Sequence, residues 1–313
     1  MRTCLITGGA GNLGCQLGRV LSGRYDRIVL ADVVPAPVGD IPQGACFEPG
    51  DLTDPAQLDG LFRRHRPVAV VHLASLLSSS CEQDRVRAWR VNAEGTFLLL
   101  EAALRHGPVS VLFASSVAAF GGGLPNVITE DTPQWPDGLY GVTKMAAERL
   151  GVYYQRRHQL DFRCLRLPVT ISRHAPAGAA SAQASHAFLA AEEGRDFSFR
   201  AWPDTPMALI YIRDVLRALT DLLKAPVDRL TRRVYNLHSM TATPRDIAAA
   251  IRRRLPQARI GFQPEPATAA LLASWPARID DEAARRDWNW RPEFDLESTA
   301  EDFFGAKRPC AAG

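Results

Sequence analysis

A glycine-rich turn that follows the first apolar run is the feature that most constrains the fold of this chain. Residues Thr3–Thr7 form a short run of apolar and β-branched side chains, and Gly8, Gly11 and Gly14 follow at intervals of three. Glycines at this spacing allow a tight turn and let a phosphate group approach bare backbone. From Asn12 the sequence predicts a helix, whose unpaired N–H groups and positive end favour an anion. The sequence therefore predicts a strand, a phosphate-binding turn and a helix in succession.

Apolar runs alternate with longer helical patterns through the first half of the chain. The predicted strands are Thr3–Thr7, Arg27–Ala31, Ala45–Glu48, Val68–Leu73, Val109–Ala114 and Phe162–Leu167. The predicted helices are Asn12–Ser22, Pro55–Arg64, about 84–106 and Leu139–His158. Strands that alternate with helices in this way predict an α/β fold with a doubly wound parallel sheet, the Rossmann arrangement.

An acidic residue at the end of the second predicted strand distinguishes between the two nicotinamide cofactors. Asp32 lies 18 residues after Gly14, where a carboxylate accepts hydrogen bonds from both hydroxyls of a ribose and repels a 2′-phosphate. No arginine follows it within Val33–Pro37. The sequence therefore predicts NAD rather than NADP as the cofactor.

Further cofactor contacts are expected where the third and fourth predicted strands end. Asp51, with Leu52, follows the third strand and can meet the adenine amino group, while Asp54 is left to cap the next helix. Small residues after His72 leave room for the cofactor, whereas His72 itself is interpreted as a packed histidine. The residues predicted on this basis to bind NAD are Gly8, Gly11, Asn12, Leu13, Gly14, Asp32, Asp51, Leu52, Leu73, Ala74 and Ser75.

The pattern changes after Pro168. Residues 172–186 are rich in Ala, Gly and Ser and predict a loop that leads into a helix near 186–193, and Val234–Leu237 predicts a strand that returns to the sheet. The predicted units are an NAD-binding Rossmann domain over 1–168, completed by about 213–237, a smaller, discontinuous C-terminal substrate lobe over 169–212 and 238–304, and a flexible tail over 305–313.

Composition excludes several classes of protein. Hydrophobic residues make up 46% of the chain, which excludes wholesale disorder. The formal net charge is +3, so neither nucleic acid nor a membrane surface is expected as a partner. The chain has no apolar run near the roughly 20 residues of a membrane span, and its first residues lack the pattern of a signal peptide. Its six cysteines show no metal-ligand spacing, so we expect reduced thiols, a cytoplasmic location and no metal.

A tyrosine and a lysine lie four residues apart on a predicted helix. Tyr140 and Lys144 therefore share one face, and a cation beside a phenol lowers its pKa and favours the phenolate. A phenol of this kind can accept or donate a proton near neutral pH. Ser116 follows a predicted parallel strand, at the edge where ligands bind, and its hydroxyl can hold the reacting oxygen. The sequence therefore predicts a catalytic group of Tyr140, Lys144 and Ser116.

These residues resemble those of the extended branch of the short-chain dehydrogenase/reductase superfamily over almost the whole chain. The matching segments are TGGAGNLG, ADV, GDLTD, HLAS, SSVAAFG, YGVTK and RLP. The resemblance implies that Tyr140 is the acid/base, that Lys144 binds the nicotinamide ribose and tunes the tyrosine, and that Ser116 positions the substrate. It also implies that Asn92 helps to fix the helix around the lysine and that Pro168 packs at the nicotinamide end of the cofactor.

A narrower resemblance extends through the second half. HLASLLS, MALIYIRD and SWPARIDDEAARRDWNW are similar to segments of the L-threonine 3-dehydrogenases of this superfamily, which oxidise the 3-hydroxyl of L-threonine with NAD. Those enzymes hold the amino acid with paired threonines, whereas this chain has Ala180 and Ser181, in a run that looks like dehydrogenases of small sugar acids. The resemblance implies a small β-hydroxy amino acid as substrate. The residues predicted to bind it are Ser78, Ser116, Tyr140, Ala180, Ser181 and Trp275.

Other functions stay open at this point. A dehydrogenase of a small hydroxy acid or sugar acid uses the same chemistry. A nucleotide-sugar epimerase needs cationic contacts to a pyrophosphate, which Arg173, Arg200 and Arg213 could supply. Dehydratases of this branch have Asp-Glu after the catalytic serine or threonine, whereas Val117 and Ala118 follow here. An NAD sensor without catalysis would be expected to lose the tyrosine or the lysine, and both are present.

Two predicted helices also carry more apolar residues than one face of a sheet requires. They span about 84–106 and 139–158, and their additional apolar residues are Phe97, Leu98, Leu99, Leu100, Tyr153 and Tyr154. Extended-branch enzymes commonly pair through these two helices. The resemblance therefore implies a homodimer with a four-helix interface.

Overall fold

A parallel sheet of seven strands lies at the centre of the computed structural model, which describes residues 1–35, 41–175 and 180–305. The strands described are β1 (Thr3–Thr7), β2 (Arg27–Asp32), β3 (Ala45–Pro49), β4 (Ala69–His72), β5 (Ser110–Ser116), β6 (Asp161–Leu167), β7 (Val169–Ile171), β8 (Phe197–Phe199), β9 (Met207–Tyr211), β10 (Val234–Asn236), β11 (Met240–Ala242) and β12 (Ile260–Phe262). The order across the central sheet is β10-β6-β5-β4-β1-β2-β3. All of its neighbouring strands run parallel. The strand order reverses between β1 and β4, which is where such sheets bind ligands.

Helices cover both faces of this sheet and confirm the doubly wound fold. The helices described are α1 (Asn12–Leu21), α2 (Pro55–His65), α3 (Ser78–Gln83), α4 (Arg85–Trp89), α5 (Gly95–His106), α6 (Leu139–His158), α7 (Gln183–Glu192), α8 (Ile212–Lys224), α9 (Pro244–Arg254), α10 (Pro266–Ala273), α11 (Glu282–Trp288) and α12 (Leu296–Gly305). The side chain of Asp54 caps α2, as predicted, by accepting hydrogen bonds from the backbone N–H groups of Ala56 and Gln57. The predicted helix over 84–106 is not continuous, because a π-helical turn at Arg90–Glu94 separates α4 from α5.

The side chains of the central strands alternate between two separate apolar cores. Along β1, Ile6 packs with Leu30 and Leu112 on one face, in the core that also includes α8. Leu5, one residue away, packs on the other face with side chains of α2, α5 and α6. Because both faces are covered, the strands are apolar throughout rather than alternating, which explains the uninterrupted apolar runs in the sequence.

The chain after Pro168 builds two small sheets and also returns once to the central sheet. One sheet has the order β11-β9-β7 and the other pairs β12 with β8. The strand β10, which lies between β9 and β11 in the sequence, instead pairs with β6 at the edge of the central sheet. Trp288 and Trp290 are buried in the apolar core on this side. The division into an NAD-binding domain and a substrate lobe stays a prediction, and of the predicted tail over 305–313 all but Gly305 lies outside the described residues.

Candidate active site

The glycine turn between β1 and α1 has a backbone geometry that excludes larger residues. Gly8 has a φ of +68°, and a Cβ at this position would lie 2.7 Å from the backbone nitrogen of Ala74. A Cβ on Gly14 would overlap the carbonyl oxygen of Gly8. Gly11 is the N-cap of α1, so no side chain caps the helix, and its first turn holds no acidic residue. The first N–H groups of α1 are therefore suited to an anion.

A groove of about 740 Å³ runs along the edge of the sheet from this turn. Its volume lies within the range of ligand-binding clefts, about 300–1,000 Å³. The predicted cofactor residues that line it are Gly8, Gly11, Asp32, Asp51, Leu52, Leu73, Ala74 and Ser75. The lining residues that the sequence analysis missed include Val33, Val34, Thr53, Asp84, Val86, Arg87 and Arg90. The open glycine turn and this long groove fit a dinucleotide.

Seven predicted cofactor residues do not line the groove: Asn12, Leu13, Gly14, Asn92, Tyr140, Lys144 and Pro168. The side-chain oxygen of Asn12 accepts a hydrogen bond from Ser172, 2.8 Å away, so this residue ties α1 to the chain after β7. Leu13 packs against the apolar core. Both residues therefore support the position of α1 in the structure.

Asp32 and Asp51 are held in place by short local hydrogen bonds. The carboxylate of Asp32 accepts hydrogen bonds from the backbone nitrogens of Ala10, at 3.1 Å, and Val34, at 3.2 Å. The carboxylate of Asp51 accepts from the backbone and the hydroxyl of Thr53, both at 2.8 Å. A fixed carboxylate at Asp32, at the end of β2, suits the two hydroxyls of an NAD ribose and disfavours a 2′-phosphate.

His72 is a packed histidine, as the sequence analysis predicts. It is 1% exposed, and its two ring nitrogens hydrogen bond with the hydroxyls of Thr7 and Thr96. Burial, together with the nearby charge of Lys144, lowers its pKa to about 3. The ring is therefore neutral at physiological pH and is satisfied by its neighbours.

The structure brings Tyr140, Lys144 and Ser116 together where β5 ends and α6 begins. The ammonium of Lys144 lies 5.5 Å from the centre of the Tyr140 ring and donates a hydrogen bond to the backbone oxygen of Ala114, 2.8 Å away. The hydroxyl of Ser116 hydrogen bonds with Tyr140 and also accepts a bond from the backbone of Ala118. A hydroxyl, a phenol and an ammonium therefore share one small volume.

Burial dominates the ionisation of this group. Desolvation lowers the pKa of Lys144 to about 8, although Cys164, Cys81 and Glu148 oppose the shift. Desolvation also raises the pKa of Tyr140 above its ordinary value, and its hydrogen bond with Ser116 only partly offsets this. Loss of solvent disfavours the charged phenolate and dominates here, so the lowering of the phenol pKa by Lys144 stays a prediction.

Asn92 connects the groove to the helix that carries the catalytic group. It is 3% exposed and lies in the π-helical turn, where its side chain exchanges hydrogen bonds with the backbone of Leu76 at 2.8 and 3.0 Å. It also donates to the hydroxyl of Thr143, the residue before Lys144. The position of Asn92 is therefore consistent with a role in holding α6.

Pro168, which is predicted to pack at the nicotinamide end of the cofactor, is buried directly after β6.

A second cavity, of about 250 Å³, opens beside Tyr140. The predicted substrate residues that line it are Ser78, Tyr140, Ala180 and Trp275, whereas Ser116 and Ser181 are not in its wall. Trp275 also packs against the apolar core, so it belongs both to the cavity wall and to the core. The wall also contains residues that the sequence does not predict, among them the acidic residues Glu82 and Asp137 and the residues Leu271 and Ser274.

The three arginines that could have bound a pyrophosphate are already paired. Arg173 pairs with Glu192, Arg200 with Glu265 and Arg213 with Asp302, at 2.6, 3.2 and 2.9 Å. None of the three lines the cavity beside Tyr140. The described residues of the cavity wall therefore do not provide the cationic contacts that an epimerase of nucleotide sugars requires there.

The described residues show neither a metal-binding group nor a membrane-spanning helix. Residues 1–35, 41–175 and 180–305 contain no group of three or more His, Cys, Asp or Glu side chains arranged to hold a metal ion. Within the same ranges, no helix is both long and apolar enough to cross a membrane.

Known proteins similar to this chain match it along nearly its whole length. The model of the NAD dependent epimerase/dehydratase family matches residues 4–237. A mitochondrial L-threonine 3-dehydrogenase from Bos taurus is 35% identical over 296 residues, which are 93% of this chain and 79% of the bovine protein. The holo structure of a GalE-like L-threonine dehydrogenase from Cupriavidus necator superposes with a TM-score of 0.91 at 33% identity, covering 97% of this chain and 99% of the other. A monomeric L-threonine 3-dehydrogenase from a metagenome superposes with a TM-score of 0.90 at 27% identity, covering 96% and 97%.

The family match, the relatives and the dinucleotide-shaped groove agree with one another. The family model covers most of the chain, and the bovine relative exceeds 30% identity over most of both proteins. The chain belongs to the NAD-dependent epimerase/dehydratase family, the extended branch of the short-chain dehydrogenases, and it is an NAD-dependent oxidoreductase.

Proposed function

We propose that this enzyme transfers a hydride between NAD and the secondary alcohol of a small β-hydroxy amino acid, L-threonine or a relative of it. The cavity beside Tyr140 carries this proposal. Its volume of about 250 Å³ is smaller than that of most ligand pockets, about 300–1,000 Å³. Glu82 and Asp137, two exposed acidic residues in its wall, suit the ammonium group of an amino acid, and Glu82 also accepts a hydrogen bond from the backbone of Leu139. Both features favour a small, amine-bearing substrate over a nucleotide sugar.

The catalytic roles follow from the chemistry of the three residues beside this cavity. In the oxidation, Tyr140 takes the proton of the substrate hydroxyl while Ser116 holds the same oxygen by a hydrogen bond. Because burial raises the pKa of Tyr140, the ammonium of Lys144 is needed to stabilise the phenolate that precedes this step. Bound NAD supplies the acceptor for the hydride that leaves the carbinol carbon. The products are a ketone and NADH.

The cofactor-binding roles are proposed for the residues of the groove and its surroundings. The glycine turn accepts the pyrophosphate at the start of α1, and Asp32 accepts hydrogen bonds from the adenosine ribose. Lys144 binds the nicotinamide ribose, while Asn92 holds its helix in position. Pro168 packs at the nicotinamide end.

The choice of substrate depends on the cavity wall near Ala180. The resemblance implies a threonine where this chain has Ala180, and Ala180 lines the cavity without a polar side chain. We therefore expect L-threonine to be a weaker substrate than a bulkier or less polar β-hydroxy acid or amino acid. The same observation favours the second candidate, a dehydrogenase of a small hydroxy acid or sugar acid.

A screen of NADH formation decides between these candidates. The purified enzyme is supplied with NAD and with L-threonine, its stereoisomers, and hydroxy acids and sugar acids of four to six carbons. Turnover of β-hydroxy amino acids above all others supports the first candidate. Turnover of hydroxy or sugar acids alone supports the second and contradicts the first, and activity on neither contradicts both.

We also propose that the enzyme forms a two-fold homodimer through α5 and α6. Phe97 and Tyr153 are 42% and 51% exposed on these helices, which suits an interface. Leu99, Leu100 and Tyr154 are buried in the core of their own chain, so the prediction that they are surplus to it is wrong. Light scattering at micromolar concentration measures the mass, and a monomer, as in the metagenome relative, contradicts the dimer. The cytoplasmic location stays a prediction.

A further inference from the structure

A third cavity, of about 620 Å³, lies between the second half of α6 and the strand β10. It shares no lining residue with the cofactor groove or with the cavity beside Tyr140. Six of its 13 lining residues are arginines, whereas the chain as a whole has 34 arginines in 313 residues. The arginines are Arg149, Arg156, Arg166, Arg232, Arg233 and Arg286. The arginine-rich composition of the chain does not by itself explain this enrichment.

Three of these guanidinium groups are neutralised by carboxylates. Arg166 pairs with the buried Glu148 at 2.8 Å, and Arg286 pairs with Asp287 at 2.9 Å. Arg232 pairs with Asp131 at 2.6 Å in a bidentate arrangement. Ion pairs that are formed in this way leave little charge for a ligand.

The other three form no ion pair among the described residues, although Arg233 lies close enough to Asp161 to help lower the pKa of that carboxyl. Arg149 donates a hydrogen bond to the side-chain oxygen of Gln134, 2.6 Å away, which is uncharged. Arg156 is exposed, and it forms no ion pair within the described ranges. One terminal nitrogen of Arg233 is buried and has no hydrogen-bond partner. Buried donors without an acceptor are rare in folded proteins, so this nitrogen keeps a donor capacity that no described residue uses.

A neighbouring cavity, which shares Thr231 and Arg286 with this one, is less basic. It measures about 790 Å³, and its basic residues Arg217, Lys224, Arg229 and Arg286 are accompanied by the acidic residues Asp221, Asp287 and Glu293. Its charges therefore nearly balance. The arginine-lined cavity, in contrast, has only Glu130 and Asp131 as acidic residues in its wall.

We propose that the cavity lined by Arg149, Arg156 and Arg233 binds an oligophosphate group, free or as part of a nucleotide. A guanidinium offers two parallel N–H groups that match the oxygens of a phosphate, and several guanidiniums together match the multiple charges of a diphosphate or triphosphate. None of the described lining residues is aromatic, so the cavity offers no platform on which a base would stack. The phosphate chain is therefore the part that is recognised. This site does not depend on the substrate proposed above, but it requires that the proposed dimer through α5 and α6 leave Arg149 and Arg156 uncovered.

Calorimetric titration of the full chain tests the proposal. The protein is saturated with NAD, so that the glycine turn is not available to the probe, and ionic strength is held constant with sodium chloride. The probes are tripolyphosphate, pyrophosphate and ATP. We expect saturable binding of tripolyphosphate with a Kd below about 100 μM, the affinity that a few charge-assisted hydrogen bonds supply. Equal binding of ATP identifies the phosphate chain alone, whereas tighter binding of ATP identifies a nucleotide, and both support the site.

Variants locate the binding. Arg149→Gln with Arg156→Gln removes two exposed charges on α6, and Arg233→Gln removes the unpartnered donor. Each change should weaken binding about tenfold or more. Arg245→Gln is the matched control, because Arg245 is exposed and pairs with Asp204 outside this cavity. If Arg233→Gln does not fold, the double variant on α6 still provides the test.

Two results would overturn the proposal. One is the absence of saturable binding up to millimolar probe, including the case in which sedimentation shows a second copy of the chain seated on this face. The other is binding that is unchanged in the α6 double variant, or weakened equally by Arg245→Gln.

Discussion

The cofactor groove and the substrate cavity differ in size and in how far backbone or side chains shape their walls. The groove is the larger, about 740 against 250 Å³, and its glycine turn is shaped by backbone that passes too close to other backbone to admit a Cβ. The substrate cavity is lined mostly by side chains of α3, α6, Ala180 and the end of α10, although Gly121 and Gly141 in its wall also pass too close to other backbone to admit a Cβ. A backbone-shaped site can be altered only by disturbing the fold. A side-chain-shaped site can change its ligand while the fold is preserved.

The two sites meet through one short segment. Residues 73–76 line the groove, and Ser78 lines the cavity. Asn92 fixes this segment through the backbone of Leu76 and reaches α6 through Thr143. Substitutions at the junction, in the groove and in the cavity should therefore have separable effects, which the following experiments measure from the largest to the smallest.

Removing the phenol oxygen of Tyr140, on the helix that Asn92 ties to this segment, should have the largest effect. Tyr140→Phe should lower kcat by about 10²–10⁴-fold, the size of a general acid/base contribution, because the ring then lacks the oxygen that takes the proton. The Kd of NAD, measured by fluorescence titration, should stay within about twofold, since Tyr140 does not line the groove. Tyr153→Phe, on the exposed face of the same helix, is the control. Near-normal turnover by Tyr140→Phe would show that the proton is transferred elsewhere.

The buried lysine at the junction should make stability depend on pH. Burial lowers the pKa of Lys144 to about 8, whereas a lysine in an unfolded chain titrates near 10.4. Between these values the unfolded chain binds more protons than the folded one. The contribution of Lys144 to the free energy of unfolding should therefore rise with pH above about 8, by at most about 1.4 kcal/mol per unit.

Urea unfolding at pH 7, 8, 9 and 10 measures this contribution as the difference between the wild type and Lys144→Met. The difference should be constant up to about pH 8 and should then increase in favour of the wild type. Lys224→Met replaces an exposed lysine and serves as the control. A difference for Lys144→Met that stays flat to pH 10 would mean that the ammonium is not desolvated as the structure indicates.

A single methyl group in the glycine turn should damage the groove and leave the cavity intact. Gly8→Ala places a Cβ against the backbone of Ala74, at a position where φ is +68°. We expect NAD to bind at least about tenfold more weakly, because the backbone there cannot move apart without widening the turn. Gly23→Ala is a matched control, since Gly23 has a φ of +81° but no atom within 4 Å of its Cβ. Equal NAD affinity in the two variants would refute the steric argument.

The same contrast explains what the sequence could and could not predict. The eight cofactor residues that line the groove could be predicted from the sequence, because glycine spacing and strand ends are local features of the chain. Glu82 and Asp137 carry no such signal, because they enter the cavity only when α3 and the start of α6 come together. The prediction that Leu99 and Leu100 are surplus to the core is wrong for a related reason. Helix periodicity does not distinguish a second face packed within the chain from a face at an interface.

Restoring a hydroxyl in the cavity wall should have the smallest effect, and it tests how freely the cavity can change its ligand. Ala180→Thr places a hydroxyl and a methyl group in the wall of a cavity that the side chains of Tyr140 and Trp275 also line. A net hydrogen bond to the substrate contributes about 0.5–1.5 kcal/mol. The kcat/KM for L-threonine should therefore rise about two- to tenfold, mainly through a lower KM. Ser181→Thr is the matched control, because Ser181 is the next residue and does not line the cavity. A gain in Ala180→Thr that Ser181→Thr lacks assigns specificity to the wall itself. Equal kinetics in the two variants would mean that the wall at Ala180 does not select the substrate, and that the chemistry of Glu82 and Asp137 must account for the selection instead.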